Sequence, residues 1–445
     1  MTSYWAELAF LPAGLARRVR LVVDGERFGA VTSGSDPQPG DERLAGVVLP
    51  GLANGHSHAF HRALRGRTHA GGGSFWTWRE RMYDVARRLD PDTYLTLARA
   101  AYAEMALAGY TVVGEFHYLH HGPGGVAYED RNAMGHALIQ AASDAGVRLT
   151  LLDTCYLAGG LGPDGHLPLD EVQRRFGDLS VDRWADRVAD LRSADRVRIG
   201  AALHSVRAVP REGLAALAAV ARHGAGSGAT HRGMPVHAHV SEQPAENAAA
   251  LAYYGLTPVQ LLAAEGVLGP GFTAVHATHL TSEDVGLLGA SGCAVCLCPT
   301  TERDLADGIG PARALRRAGA LLTVGSDQHA VIDPFEEIRG LEMHERLASL
   351  ERGCFVPAEL LLAGAGSGYR SLGWDSGGAL CEGGLADFVA VGLTSPRTAG
   401  SQPGQVLLSA TSADVTDVVV GGRRVVTDRQ HRLGDVGQLL ADAIH

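Results

Sequence analysis

The stretch GLANGHSHAFHRALRG, residues 51–66, places three histidines, His56, His58 and His61, directly after an apolar run that ends at Pro50. Such a run predicts a buried strand. His56 and His58 are two residues apart, so on an extended backbone their side chains point to the same side. The triplet either reflects a chain with 20 histidines or marks a metal site at a strand end, and only the rest of the sequence can distinguish the two.

Seven further apolar or β-branched runs follow at intervals, most of them succeeded by an Ala/Leu/Arg-rich helical stretch. With the first, the eight candidate strands are residues 47–57, 110–118, 148–156, 198–205, 234–240, 272–280, 293–299 and 321–327. Eight β-then-α units predict an α/β fold, a (β/α)₈ TIM-type barrel over residues 48–370. A doubly wound open sheet fits less well, because no glycine-rich phosphate-binding sequence follows the first strand.

Both ends of the chain have the pattern of short strands joined by tight turns. Asp24-Gly25 separates two apolar runs near the N-terminus, and Gly421-Gly422 separates two near the C-terminus. These dipeptides are typical of β-hairpins. Residues 1–47 and 371–445 are therefore predicted to build one small β-sandwich domain together. Helices are expected at 91–108, after Asp90-Pro91, and after the capping sequence that begins at Thr281. A flexible loop is expected at 223–233.

Composition excludes several function classes. The formal charge of −10 and the pI near 6.0 argue against nucleic acid or an anionic membrane as a partner, but leave a small anionic substrate open. There is no apolar run long enough for a spanning helix and no basic region ahead of the first apolar segment, so a cytoplasmic location is expected. The CAVCLCP segment, 293–299, is interpreted as a core strand rather than a metal or redox site.

The chain has no lysine, since all 39 of its basic residues are arginine. A Schiff-base lysine, a phosphate-loop lysine and a carbamylated lysine bridging two metals are therefore excluded. Without a bridging ligand of that kind, a single metal ion is favoured over a pair.

Four of the predicted strands end in residues that bind metals. His56 and His58 end the first, His239 the fifth, and Asp327 the eighth, while the sixth carries His276 and His279. In such barrels the active site lies at the carboxyl ends of the strands. Three imidazoles and one carboxylate with an open position are the ligands of a catalytic Zn²⁺ or Fe²⁺ ion.

Proton-transfer roles follow from these positions. Asp327 is placed to take a proton from the activated water, and Glu242, three residues after His239, to carry it to the leaving group. His276 is placed to stabilise a developing oxyanion. Two structural alternatives stay open: helix capping by Glu242 and a core hydrogen bond by His279, which is left out of the site.

Several segments carry a resemblance to a known family. PGLANGHSHAFHRALRG, HAHVSEQ, VHATHL, CPTTERDLADG and GSDQH resemble the aminohydrolase branch of the amidohydrolase superfamily. The segments SFWTWRERMY (74–83), GYTVVGEFHY (109–118) and LHSVRAV (203–209) narrow the resemblance to the formimidoylglutamate deiminase family. It extends over nearly the whole chain.

The resemblance implies a zinc enzyme, with Fe²⁺ as an alternative metal, that converts N-formimidoyl-L-glutamate and water to N-formyl-L-glutamate and ammonia in histidine degradation. It also implies a homodimer. The implied metal ligands are His56, His58, His239 and Asp327. The implied catalytic residues are Glu242, His276 and Asp327. The implied substrate-binding residues are His61, Arg79, Tyr118, His204 and Arg207. His61 departs from the family pattern, which often has glutamine there, and this leaves its role open.

The substrate chemistry agrees with this choice. Two carboxylates are best held by two arginine forks, and Arg79 and Arg207 can supply them. Two alternatives remain. One is a deaminase or hydrolase of the same branch acting on a purine or triazine, which needs no such arginines. The other is a metal-binding barrel without activity, which leaves Glu242, His276 and Asp327 without a purpose.

Overall fold

The computed structural model describes residues 2–69, 73, 75–223 and 233–444; the predicted flexible loop at 223–233 falls almost entirely outside them. Within the described residues the strands are β1 (Thr2–Leu11), β2 (Gly14–Asp24), β3 (Arg27–Thr32), β4 (Glu42–Pro50), β5 (Leu52–Ser57), β6 (Tyr110–His117), β7 (Arg148–Cys155), β8 (Gly160–Gly162), β9 (Gly165–Leu167), β10 (Val197–Leu203), β11 (Val236–Val240), β12 (Phe272–His276), β13 (Ala294–Leu297), β14 (Leu321–Val324), β15 (Phe388–Val391), β16 (Val415–Val420), β17 (Arg423–Thr427) and β18 (Gln430–His431).

The described helices connect these strands. They are α1 (Phe75–Arg88), α2 (Pro91–Ala108), α3 (Ala133–Ala145), α4 (Val181–Val188), α5 (Arg211–His223), α6 (Pro244–Tyr254), α7 (Pro258–Ala264), α8 (Ser282–Ala290), α9 (Pro299–Asp304), α10 (Ala312–Ala318), α11 (Pro334–Ser349), α12 (Pro357–Gly364), α13 (Gly366–Ser371) and α14 (Val436–Ile444). As predicted, α2 begins after the Asp90 cap and ends at Gly109, and the Thr281 side chain caps α8. No helix in the described part of the chain is long and apolar enough to cross a membrane.

Eight parallel strands form the barrel, in the order β5-β6-β7-β10-β11-β12-β13-β14. Between the last strand and the first, a parallel bridge pairs Ser57 with Asp327. There the Asp327 N–H donates to the His56 carbonyl at 3.0 Å, and the His58 N–H donates to the Asp327 carbonyl at 3.2 Å. The predicted (β/α)₈ barrel is confirmed, and its closing seam is built from the same residues that were proposed as metal ligands.

The first predicted strand, 47–57, is wrong as a single element. Residues up to Pro50 belong to β4, which pairs with β1 and β15 in the other sheet, and the barrel strand begins at Leu52. Both halves are buried and apolar, so the sequence pattern has no break between them. Gly51 allows the chain to pass from one sheet to the other at this point. Any larger residue would clash, because a Cβ there would lie 2.4 Å from Thr111 Oγ1 and 2.8 Å from the Tyr369 hydroxyl.

The remaining strands form one sheet from both chain ends, in the order β18-β17-β16-β15-β4-β1-β2-β3. The two predicted hairpins are present, and Gly25, Gly421 and Gly422 have positive φ at their turns. The far strand β3 contacts the segment before β15, since the Phe28 N–H donates to the Gly384 carbonyl at 2.9 Å, and the Phe28 ring stacks on that of Phe388 in β15. The sheet thus encloses its own core, which confirms a small β domain from both termini; the boundaries at 47/48 and 370/371 stay predictions.

Candidate active site

One cavity of about 320 Å³ opens at the carboxyl ends of the barrel strands. It brings together all but one of the predicted site residues, and His56 lies fully buried beneath it. The predicted residues that line it are His58, His61, Arg79, Tyr118, His204, Arg207, His239, Glu242, His276 and Asp327.

The floor of the cavity is a cluster of ligand atoms around the Asp327 carboxylate. His56 Nε2 and His58 Nε2 each lie 3.3 Å from Asp327 Oδ1, and His239 Nε2 lies 3.1 Å from His56 Nε2. Ligands held at about 2.0–2.2 Å from a tetrahedral ion are about 3.4 Å from one another. The spacing of these atoms therefore fits the edges of a coordination shell around one divalent ion.

Hydrogen bonds to the backbone orient two of these imidazoles. His58 Nδ1 lies 2.9 Å from the Phe116 carbonyl, and His239 Nδ1 lies 3.0 Å from the His204 carbonyl. A carbonyl only accepts, so both Nδ1 atoms carry the proton and both Nε2 lone pairs face the cluster. Burial lowers the pKa of His56 to about 3 despite the neighbouring Asp327, which keeps this imidazole in the neutral form that binds a metal.

The cluster contains two more imidazoles than the predicted ligand set, those of His276 and His61. The atoms that lie within 4.8 Å of one another come from His56, His239, His276 and Asp327, while His58 groups with His61 and Asp327. The carboxylate of Asp327 is common to both groups. Asp327 and His276 also have positive φ, of 42° and 65°, a backbone conformation that is costly for non-glycine residues and is often found at functional sites.

His276 is surrounded by three carboxylates. Its Nε2 lies 3.9 Å from both Glu242 Oε1 and Asp327 Oδ2, and its Nδ1 lies 3.6 Å from Glu302 Oε1. Burial lowers the pKa of His276, but the carboxylates outweigh this effect and raise it to about 10. The imidazole is thus a cationic donor at neutral pH. The sequence reasoning missed Glu302, although it lies in the quoted segment CPTTERDLADG.

The two predicted substrate arginines lie on the cavity wall. Arg207 Nη2 lies 3.4 Å from Glu242 Oε2, and its Nε lies 3.7 Å from Glu246 Oε1. Arg79 donates from Nε to the Tyr83 hydroxyl at 2.8 Å. Arg207 is therefore held by carboxylates of the protein, one of which is the predicted proton carrier.

The other predicted substrate-binding residues are aromatic neighbours of the cluster. His61 Nε2 and the Tyr118 hydroxyl are 2.8 Å apart, and the His204 ring packs 5.1 Å from the His239 ring. As for the structural alternatives, the N-cap position of α6 is held by Gln243, without a side-chain capping hydrogen bond, and not by Glu242. His279 Nε2 lies 2.8 Å from the Asp307 carbonyl.

Four residues beside this cavity were missed. Glu246 is buried and accepts the Glu242 N–H at 3.1 Å; a second carboxylate four residues after Glu242 was a usable signal. Tyr83 and Tyr156 line the wall next to Arg79, and buried Gln173 lies behind them. Tyr83 ends the quoted segment SFWTWRERMY, whereas nothing in the local sequence marks Tyr156 or Gln173, which meet Tyr83 only through the tertiary structure.

The fold and this site agree with what sequence comparison shows. The chain belongs to the amidohydrolase family, whose profile matches residues 47–425, and it is a hydrolase. Formimidoylglutamate deiminase from Pseudomonas aeruginosa is 36% identical over 448 residues, covering 97% of this chain and 96% of the relative. This similarity confirms the resemblance inferred from the motifs.

Two further comparisons support the family. The 8-oxoguanine deaminase of Pseudomonas aeruginosa is 30% identical over 401 residues, covering 89% of this chain and 85% of that protein. The crystal structure of an amidohydrolase from Brucella melitensis superposes with a TM-score of 0.89 at 31% identity, covering 100% of this chain and 99% of the other.

Proposed function

We propose that this protein hydrolyses N-formimidoyl-L-glutamate to N-formyl-L-glutamate and ammonia. The observation that carries the proposal is that Arg79 and Arg207 line the same cavity whose floor is the histidine–aspartate cluster. A substrate with a reactive formimidoyl group and two carboxylates matches that arrangement, because guanidinium groups pair with carboxylates in a bidentate geometry. The similarity to the Pseudomonas aeruginosa deiminase supports the same substrate.

One divalent ion, Zn²⁺ in preference to Fe²⁺, is proposed to be held by His56, His58, His239 and Asp327. Such an ion supplies a water activated near neutral pH and polarises the substrate. The cluster is rich in nitrogen ligands, which zinc accepts readily. His276 lies close to the same atoms but, as a cation, has no lone pair for the metal, so it is assigned to charge stabilisation.

The protein side chains are proposed to divide the proton transfers among them. The water oxygen bonds to the formimidoyl carbon as Asp327 takes a proton, and cationic His276 donates a hydrogen bond to that oxygen. Glu242 carries that proton and the second water proton to the terminal nitrogen, whose bond to carbon breaks as the water oxygen becomes the formyl carbonyl, and the nitrogen leaves as ammonia. His61, Tyr118 and His204 are proposed to contact the substrate beside the reacting carbon.

Ammonia release from purified protein tests this proposal. The protein is assayed with N-formimidoyl-L-glutamate, adenosine, guanine and a chlorotriazine, and its metal content is measured on the same sample. We expect turnover of the first compound with about one zinc per chain. Turnover of a purine or triazine alone would identify the rival class, and no turnover of any compound in metal-loaded protein would favour an inactive barrel.

Replacing Arg207 by Met tests the substrate assignment within the cavity. We expect kcat/KM for N-formimidoyl-L-glutamate to fall by about 100-fold or more, since a charged hydrogen-bond partner is lost from a buried site. The Arg79→Met variant is expected to behave alike. If kcat/KM is unchanged in both variants, the dicarboxylate assignment is wrong. A homodimer and a cytoplasmic location remain predictions.

A further inference from the structure

Tyr83 and Tyr156 line the cavity between the two arginines and have no part in the chemistry described so far. Tyr83 accepts a hydrogen bond from Arg79 Nε at 2.8 Å. Burial raises the pKa of Tyr156, and the guanidinium groups of Arg79 and Arg207 oppose that shift, so both cations lie near this hydroxyl. The pKa of Tyr83 is also raised by burial, so both phenols stay protonated at neutral pH.

Gln173 joins the two hydroxyls from behind. Its Nε2 lies 3.0 Å from the Tyr83 hydroxyl, 3.2 Å from the Tyr156 hydroxyl and 2.9 Å from the Gly159 carbonyl. The residue is only 2% exposed, so water does not compete for these contacts.

The orientation of the Gln173 amide is fixed by its neighbours. The backbone N–H of Asp170 donates to Oε1 at 2.9 Å, which identifies that atom as the acceptor. The Gly159 carbonyl can only accept, so it faces the amide nitrogen. The backbone N–H of Gln173 in turn donates to Asp170 Oδ1 at 2.8 Å, which holds the residue in place. Of the two hydrogens on Nε2, one therefore donates to the Gly159 carbonyl, and the other faces the two tyrosine hydroxyls, which share it.

A hydroxyl that accepts from its neighbours must donate its own hydrogen elsewhere. Tyr83 accepts from Arg79 and shares the second Gln173 amide hydrogen with Tyr156. Tyr156 accepts from Gln173. Since both residues line the cavity, the hydrogens left over are available to a ligand there.

We propose that Tyr83 and Tyr156 are substrate-binding residues that donate to one carboxylate of the substrate beside an arginine, and that Gln173 is the positioning residue that turns both hydroxyls toward it. The inference rests on the proposed function and extends it from two arginines to a donor wall that selects a carboxylate. A wall of donors disfavours a neutral heteroaromatic ring, which would leave them unpaired.

The Tyr83→Phe and Tyr156→Phe variants test the wall without changing its shape. We expect each to raise KM for N-formimidoyl-L-glutamate about tenfold, with kcat changed by less than about threefold, because a hydrogen bond to a charged group is lost. Two truncated substrates locate the contact: N-formimidoyl-4-aminobutyrate lacks the α-carboxylate, and N-formimidoyl-2-aminobutyrate lacks the γ-carboxylate. The penalty should vanish with one of them; a penalty that persists with both overturns the inference.

Gln173→Glu reverses the polarity behind the wall at constant volume. The new carboxylate accepts from the tyrosine hydroxyls and turns them away from the cavity. We expect KM to rise about 30-fold or more while kcat and the zinc content stay close to wild type. The matched control is Gln405→Glu, at an exposed site outside the cavity, which should leave KM unchanged. A purely structural Gln173 would lower thermal stability and leave KM unchanged in the folded fraction.

Glutarate binding separates failure of this inference from failure of the proposed function. Titration calorimetry on metal-loaded protein measures the binding of this dicarboxylate without turnover. If wild-type protein does not release ammonia from N-formimidoyl-L-glutamate, the proposed function fails. If it is active but all three variants keep the wild-type KM and glutarate affinity, only the inference about the wall fails.

Discussion

Glu242 lies between the acid–base residue His276 and the proposed substrate-binding residue Arg207. It is 3.9 Å from His276 Nε2 and 3.4 Å from Arg207 Nη2. In Glu242→Gln the side chain keeps its size but cannot carry a proton. We expect kcat for ammonia release to fall by about 10²–10⁴-fold, with unchanged zinc content. Glu212→Gln, at an exposed position on α5, serves as the control. A kcat within tenfold of wild type would remove Glu242 from the proton path.

His239 offers a direct test of the metal centre. Its Nε2 points at His56, whereas His237, on the same strand, bonds to the Ser371 carbonyl at 3.0 Å. We expect His239→Asn to lose most of its zinc and to show no rise in melting temperature when zinc is added, since a ligand stabilises only what it binds. His237→Asn should keep both properties. Equal zinc content in the two variants would contradict the assigned site.

Site residues at the ends of barrel strands were predictable from the sequence. Residues that contact the site side chains from surrounding segments were not. His56, His58, His239, His276 and Asp327 were found from sequence because a parallel barrel brings every strand end to one face. Gln173 and Glu302 act through their contacts with other side chains, and those contacts depend on loop geometry that spacing along the chain does not encode. The structure therefore adds mainly groups that contact other site residues, Glu302 beside His276 and Gln173 beside the two tyrosines.

At the scale of elements, the eight barrel strands and the two hairpins followed from apolar runs and turn residues. The one error was the fusion of β4 with β5, two strands of different sheets. Periodicity could not separate them, because both are buried on both sides over residues 47–57. In the sequence, only the Pro50-Gly51 pair marks the boundary. The need for glycine there becomes evident only in the structure, where Thr111 and Tyr369 lie too close to Gly51 for a side chain.

Gly51 therefore provides a test of the β4–β5 junction. In Gly51→Ala the added methyl meets Thr111 Oγ1 and Asp387 Cβ, at 2.4 and 2.9 Å in the unrelaxed structure. We expect the free energy of unfolding to fall by about 1–3 kcal/mol, the usual cost of overpacking. Gly404→Ala is the control, because nothing lies within 4 Å of a Cβ at that partly exposed position. Urea unfolding of both variants measures the difference, and equal midpoints would show that the junction tolerates a side chain.

At the scale of the whole molecule, a buried ion pair joins the barrel to the small β domain. Arg148, the first residue of β7, donates to Asp387 Oδ2 at 2.8 Å and to Glu26 Oε2 at 3.0 Å. Asp387 immediately precedes β15, and Glu26 lies in the β2–β3 turn. The side chains of Arg148 and Asp387 are both fully buried. Segments near both chain ends thus contact the same arginine, at the amino end of barrel strand β7.

Removing one member of this pair should cost more than removing both. Arg148→Met leaves the Asp387 carboxylate with hydrogen bonds from Tyr369 and Gly421 but without a buried cation, and we expect a loss of about 3–5 kcal/mol in the free energy of unfolding. Arg148→Met combined with Asp387→Asn should recover part of that loss, since no buried charge is left unpaired.

Arg17→Met, at a side chain 76% exposed, should change stability by less than about 0.5 kcal/mol. Neither Arg148 nor Asp387 lines the cavity, so kcat in the folded protein should stay at the wild-type value. If the two single substitutions add in the double variant, as measured by urea unfolding, the pair does not hold the two domains together as a unit.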